Sequence, residues 1–350
     1  MIKKTQMKNN IKIQLGFLFL FLIALFSFSG KSKTGKLTQQ LDAVCERNNF
    51  NGSVAVFDGT VQVYRKNKGF SDFSNKTKIN KNTMFAIGSI SKQFTAVLIL
   101  LQMEQNRLNL DDKVSEYVKE FQTKEYESIT IRQLLNHTSG LNTLGGKLMF
   151  KSGTGFYYSN DGYNTLGRII EKTSGKSYNE NLLKVFKKAG MTNSSTGSSF
   201  NGGDFGLVYV GSLNRYEKVR NMPERLNSSK VGIPAGGILS TVDDLLNWNQ
   251  ALYGGRIIKP KTLELLTTQS SVREHSVFGK TGYGLGIMRN TQAPVAYFHS
   301  GYVKGAPSLL VYYPKTKISV IILSNIADES KQQEVIFRPH IEIKEITDGG

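Results

Sequence analysis

Ser89 and Lys92 stand three residues apart in Ser89-Ile90-Ser91-Lys92, at the head of a stretch that continues QFTAVLILLQMEQNRL. Its apolar residues recur at three- and four-residue steps, which predicts a helix. Residues three apart on a helix share a face, so this hydroxyl and this amine can meet. A serine hydroxyl is a weak nucleophile until a neighbouring base takes its proton. Lysine can be that base once burial or nearby positive charge lowers its pKa. A helix N-terminus would also favour the negative charge that develops at the serine. On its own, the same spacing describes a helix cap followed by a solvated lysine.

A second group, Tyr158-Ser159-Asn160, follows the Gly-rich loop Ser152-Gly153-Thr154-Gly155-Phe156, a setting that places side chains in a cleft. A tyrosine oxygen near Lys92 could relay a proton between nucleophile and leaving group. An asparagine amide could hold a substrate amide with its donor and acceptor together. In isolation, a buried tyrosine and a turn asparagine account for the same residues.

Two triplets compete for a third group. Lys280-Thr281-Gly282 sits in a Gly-rich stretch leading into YGLGIM, whereas His299-Ser300-Gly301, in YFHSG, precedes GAPSLLVYY, the turn PKTK and ISVIILSN. A group completing the site belongs on a strand flanking the nucleophile, followed directly by two antiparallel strands. His299 meets that requirement and Lys280 does not.

With these three groups the chain resembles the serine β-lactamase-like family, which includes class C β-lactamases, D-alanyl-D-alanine carboxypeptidases and related esterases. The resemblance runs from about Asn51 to Asn325. MFAIGSISKQFTA, LNLDDKVSEYV, ITIRQLLNHTSGL, YYSNDGYNTLGRIIE, PAGGILSTVDDLLNW, YGLGIM and HSGYVKGAPSLLVYYP come in family order. It implies an acyl-enzyme mechanism in which Ser89 attacks a carbonyl and Lys92 and Tyr158 move protons. Asn160 would orient the substrate, and His299, with Ser300 and Gly301, would help bind a carboxylate or polarise the site. The backbone N–H groups of Ser89 and Tyr302 would form the oxyanion hole. No metal or organic cofactor is implied. The histidine at 299 replaces the lysine of class C β-lactamases, which argues against efficient β-lactam hydrolysis. Ser152 stands where a proline is common.

The implied activity is hydrolysis of D-alanyl amide or ester bonds, in peptidoglycan stem peptides or D-alanylated teichoic acid, with β-lactams as covalent ligands. A low-specificity esterase or weak β-lactamase would use the same residues. A non-catalytic penicillin- or wall-binding protein would be expected to have lost one of them, and none is lost. Substrate choice is expected in the loops 141–156 and 196–232, which carry no readable code.

The elements that must position these groups follow an α+β order. GSVAVFD and VQVYRK read as a hairpin turning at Asp58-Gly59, and further apolar runs come at Gly284–Met288, Ser308–Tyr313 and Ile318–Ser324. Strands at both ends with helices between predict one antiparallel sheet built from the two chain ends, flanked by helices, with a mostly helical region inserted. The expected division is a leader over 1–30 and one hydrolase domain over 31–350. Its α/β part would occupy about 36–110 and 265–350, and its mostly helical part about 110–265.

In the leader, Lys3, Lys4, Lys8 and Lys12 precede the apolar run Leu15–Phe28, the layout of a signal peptide. Fourteen residues are short of the roughly 20 that span a membrane. Ser27 and Ser29 suit cleavage near Gly30, while Phe28 suits an uncleaved anchor; either reading places the catalytic part outside the cytoplasm, secreted, periplasmic or anchored on the outer face of the cytoplasmic membrane. Net charge is +18, and +14 without the four leader lysines. That surplus favours anionic wall polymers or lipid headgroups, but no compact basic run marks a nucleic-acid surface. Cys45 is the only cysteine, so no internal disulfide exists, and it is expected as a small apolar residue of an N-terminal helix. His137, in LLNHTSGL, is expected to be structural and bonded to backbone. Nothing marks His275 or His340 for a role, and Pro339 is expected to interrupt the closing helix.

Overall fold

The computed structural model describes residues 35–227 and 232–349 of the chain. The expected leader, 1–30, lies outside them. No helix among the described residues is long and apolar enough to cross a membrane. The chain separates into two compact units, Met1–Arg47 and Asn48–Gly350. In the first, residues 35–47 form a helix with Leu41, Val44 and Cys45 buried at helical spacing.

The second unit is organised by an eight-stranded sheet. Its first hairpin pairs β1 (Gly52–Asp58) with β2 (Val61–Lys68). Gly59 turns it at φ +56°, a left-handed conformation that glycine adopts without a steric penalty. The remaining strands come late in the chain: β3 (Ser271–His275), β4 (Gly279–Tyr283), β5 (Met288–Asn290), β6 (Tyr297–Val303), β7 (Ala306–Tyr313) and β8 (Ile318–Ser324). Their order in space is β3-β4-β5-β6-β7-β8-β1-β2. The two chain ends therefore meet at the β1–β8 pair, antiparallel from Gly52 opposite Ser324 to Asp58 opposite Ile318. Both strands are buried along nearly their whole length, which is why they read as continuous apolar runs rather than alternating ones. Of the expected apolar runs, Gly284–Met288 is not a strand over its length; only Met288 joins β5.

Between β2 and β3 lie helices broken by loops. Ser91–Glu104 is buried on almost every side. Phe94 on it stacks on Trp248 at 4.0 Å between ring centroids, and Trp248 Nε1 donates to Gln93 Oε1 at 3.0 Å. Such a ring pair contributes roughly 0.5–1.5 kcal/mol beyond the area it buries. Trp248 belongs to the helix Val242–Tyr253, capped by Thr241. Asn160–Ser174 and Tyr178–Ala189 are amphipathic helices that end on left-handed Gly175 and Gly190. The segment 141–156 has no regular structure, and 196–232 contains the small hairpin Tyr209–Ser212 and Arg215–Lys218.

Pro339 does not interrupt the closing helix. It occupies the first turn of Arg338–Asp348, where its fixed φ suits a helix start and its missing N–H costs nothing. A separate short helix, Gln333–Ile336, precedes it.

Candidate active site

Gly88, Ser89 and Ile90 form a tight helical turn that runs directly into Ser91–Glu104. Gly88 sits at φ +51°, and a Cβ there would lie 2.6 Å from the backbone nitrogen of Tyr302. Only glycine allows both the conformation and the approach. The turn is pinned on two sides: Ile87 N donates to Ile238 O at 3.1 Å, and Ser308 Oγ donates to Ile87 O at 2.9 Å. Beside it, β5 pairs with β6 only at Tyr297 and Phe298. From His299 onward that edge of β6 has no strand partner among the described residues, and it faces the Gly88–Ile90 turn. Gly301 is required there as well, since a Cβ would meet Ile87 O at 2.0 Å.

Lys92 lies one helical turn beyond Ser89 and is fully buried. Its Nζ is 3.2 Å from Ser89 Oγ, 2.8 Å from Asn160 Oδ1 and 2.7 Å from Ala235 O. Burial, then the charge of Arg273, holds its pKa well below the ordinary lysine value, and no carboxylate is among the groups that act on it. A neutral amine has two N–H donors and one lone pair. Asn160 Oδ1 and Ala235 O take the two donors, which leaves the lone pair for the Ser89 hydroxyl.

Tyr158 arrives on the extended segment before the helix Asn160–Ser174, whose N-cap is Ser159. Burial raises its pKa above the usual tyrosine value, against the opposing effect of the nearby Ser89 side chain, so it stays protonated near neutrality. Lys92 Nζ lies 4.7 Å from the centre of its ring. His137 holds this segment in place: its carbonyl accepts from Tyr157 N at 2.9 Å and its Nδ1 accepts from Ser159 N at 3.1 Å. His137 is fully buried, and burial followed by the Lys92 charge keeps it neutral. It has the backbone-bonded, structural setting expected of it.

His299 is buried on β6, 6.3 Å ring to ring from Tyr158. Its Nδ1 lies 2.6 Å from Ser300 O and its Nε2 3.0 Å from Tyr283 Oη. Burial lowers its pKa to about 3 against the opposing bond to Ser300 O, so it is a neutral ring with both nitrogens engaged. Ser300 is close behind, and Tyr302 Oη donates to Glu329 at 2.7 Å. Lys280, by contrast, is exposed on β4.

Two residues of the site escape any reading of the sequence. Ser271, Arg273 and His275 alternate inward along β3. His275 Nδ1 accepts from Val277 N at 3.0 Å, so its Nε2 carries the proton facing Ser300 Oγ at 3.3 Å. Burial, then Arg273, lowers its pKa to about 3. Arg273 stacks over Tyr158 at 5.0 Å and Phe156 at 5.3 Å from ring centre to Cζ. Its Nε is buried without a hydrogen-bond partner. Burial lowers its pKa, but a guanidinium remains charged. It is the cation beside Tyr158 for which the sequence offers no motif.

Among the described residues no cluster of His, Cys, Asp and Glu could hold a metal ion. Comparison with known proteins identifies the family. The family model described as beta-lactamase matches residues 36–339. Penicillin-binding protein 4* of Bacillus subtilis is 27% identical, over 88% of this chain and 75% of its own length. Protein flp of Staphylococcus aureus is 26% identical over 85% of this chain, which spans only 64% of that protein's length. The octameric penicillin-binding-protein homologue of Pyrococcus abyssi superposes with a TM-score of 0.73 at 26% identity, covering 87% of this chain and 76% of that one.

Proposed function

This chain belongs to the β-lactamase family, whose relatives include penicillin-binding proteins, and on that premise we propose that it hydrolyses D-alanyl amide or ester bonds of cell-envelope substrates from outside the cytoplasm. The observation that carries the hydrolase reading is the buried Lys92 amine 3.2 Å from Ser89 Oγ, its other two partners both acceptors.

Lys92 takes the Ser89 proton as Oγ attacks the substrate carbonyl. The backbone N–H groups of Ser89 and Tyr302 face the oxygen that becomes an oxyanion. Tyr158, protonated and close to Ser89, passes a proton to the leaving amine or alkoxide and is recharged through Lys92. Water then repeats the sequence on the acyl-Ser89 ester. Asn160 has its Oδ1 on Lys92, so its amide N–H is what remains for the substrate. His299, neutral with both nitrogens engaged, is poorly suited to a carboxylate. Arg273 suits it better: a charged group beside Tyr158 whose Nε has no partner. That supports a substrate ending in a free carboxylate, as a D-alanyl-D-alanine peptide does.

The test is intact-mass spectrometry after exposure to a fluorophosphonate and, separately, to a labelled penicillin. One adduct from each, mapped to Ser89 and absent from Ser89→Ala, is the expected result. A folded chain that takes neither adduct would instead be a non-catalytic member. Persistence of the penicillin adduct favours carboxypeptidase-like chemistry, and rapid loss favours a lactamase.

A further inference from the structure

Four cations gather around a cleft that acyl transfer does not use. The cleft has a volume of about 300 Å³ and opens between the C-terminal half of the helix Ser91–Glu104 and the helix Tyr178–Ala189. Arg107, Lys176, Lys184 and Lys188 line it, and no carboxylate does. Four of its eleven lining residues are basic, against 45 Lys and Arg in 350 residues overall, so the positive charge is concentrated here rather than evenly spread.

Lys176 and Lys184 both line the cleft, two donors in a lining that holds no carboxylate. The nearby Lys176, before slight burial and Arg107, pulls the Lys184 pKa below the ordinary lysine value. Glu180 is the one acid that acts on Lys184, and its carboxylate already accepts from Ser177 N at 2.8 Å and Ser177 Oγ at 2.7 Å. Arg107 uses Nη1 on Gln102 Oε1 at 3.0 Å, which leaves other guanidinium donors. Like charges lining one cleft are stabilised by an anion with several acceptor oxygens, and lysine binds phosphate as a point charge.

We propose that this cleft binds a phosphodiester, a phosphate bearing short organic groups that rest on its apolar floor of Leu98, Leu101 and Val185. At 1.5 Å per helical residue it lies on the order of 15–20 Å from Ser89, so a ligand there leaves the acyl site open. The assignment is independent of the hydrolase reading.

The experiment is isothermal titration of the full chain with a synthetic glycerol-phosphate oligomer, with inorganic phosphate, and with phosphatidylglycerol vesicles. Saturable binding of the oligomer is expected, weakening as salt is raised. The double variant Lys176→Ala/Lys184→Ala, at exposed positions, should bind it at least about tenfold more weakly. Lys315→Ala/Lys317→Ala, which removes equal charge from the exposed β7–β8 turn, should bind it as the native chain does. Equal losses in the two variants would reduce the effect to net charge and overturn the site. Absence of saturable oligomer binding overturns it too. Binding to vesicles alone assigns the cluster to a membrane surface, and binding of inorganic phosphate as tight as the oligomer removes the role of the organic groups.

Discussion

The ring of His137 lies 4.3 Å from that of Tyr158, and its Nδ1 accepts the N–H of Ser159, the very next residue. His137 therefore positions Tyr158 by stacking and by holding the backbone on both sides of it. His137→Ala removes the acceptor for a buried N–H and leaves a void, a loss of about 2–4 kcal/mol. Thermal unfolding measures that cost. Labelling of Ser89 by a fluorophosphonate should slow by roughly 10- to 100-fold, a loss a purely structural residue far from the site would not produce.

Lys92 sets the pH behaviour. Its folded pKa lies well below the unfolded value of 10.5, so between the two values the unfolded chain binds the extra proton and stability rises with pH. Below its folded pKa the amine is charged and can no longer accept the Ser89 proton. Acylation should therefore fall as pH drops through that value. Lys92→Met should lose at least about 10³-fold in acylation yet unfold at a higher temperature than the native chain near neutral pH, because a buried amine is replaced by an apolar chain of similar length. A lower melting temperature for the variant would contradict the burial argument.

Arg273 can be separated from the catalytic groups by substrate choice. Removing a charged hydrogen-bond partner costs roughly 1.5–3 kcal/mol, or about 10- to 150-fold. Arg273→Gln should cut kcat/KM by that factor for a peptide ending in a free carboxylate relative to its carboxamide. An unchanged ratio would remove the carboxylate role. The same variant takes away the second cause of the lowered Lys92 pKa, so its acidic limb should move toward higher pH, and Arg273→Lys should restore it.

Gly88 tests the backbone of the site. Gly88→Ala forces a left-handed alanine whose Cβ would lie 2.6 Å from Tyr302 N. A strain of about 1–3 kcal/mol is expected, with Ser89 labelling reduced far more than the stability change explains, since the shift falls between the backbone N–H groups of Ser89 and Tyr302, proposed as the oxyanion hole.

Lys280→Ala checks the choice between the two triplets. The residue is exposed on β4, and its loss should leave penicillin labelling within about twofold of native. His299→Ala should not be so mild, because it leaves the buried Tyr283 hydroxyl without its partner.

Much of this arrangement is legible in the residues because it rests on short spacings. Ser89 and Lys92 are one helical turn apart, and Tyr158 and Asn160 flank a helix cap, so local geometry alone brings each pair together. The β1–β8 closure follows from two apolar runs at opposite ends of the chain. Arg273 and His275 are not legible. They reach the site because β3 is the edge strand next to β4, and SVREH carries no period-two apolar signal that would mark it as a strand facing a cleft. The phosphate cleft is hidden for a related reason: Arg107 follows one helix, Lys176 precedes another that carries Lys184 and Lys188, and only helix packing joins them. Pro339 misleads because a proline reads as a break inside a helix and as a start in its first turn, and only the register decides.

The antiparallel pairing of β1 with β8 bears on the order of events during synthesis. The ribosome releases the segment carrying Ser89 long before residues 297–324, yet β6 supplies the edge against which the nucleophile turn is held, and β8 closes the sheet. Contacts this distant in sequence form late. The nascent chain consequently passes most of its elongation with the backbone N–H groups of Ser89 and Tyr302 apart, and on the proposed mechanism it could acylate only after the strands at its C-terminal end have emerged.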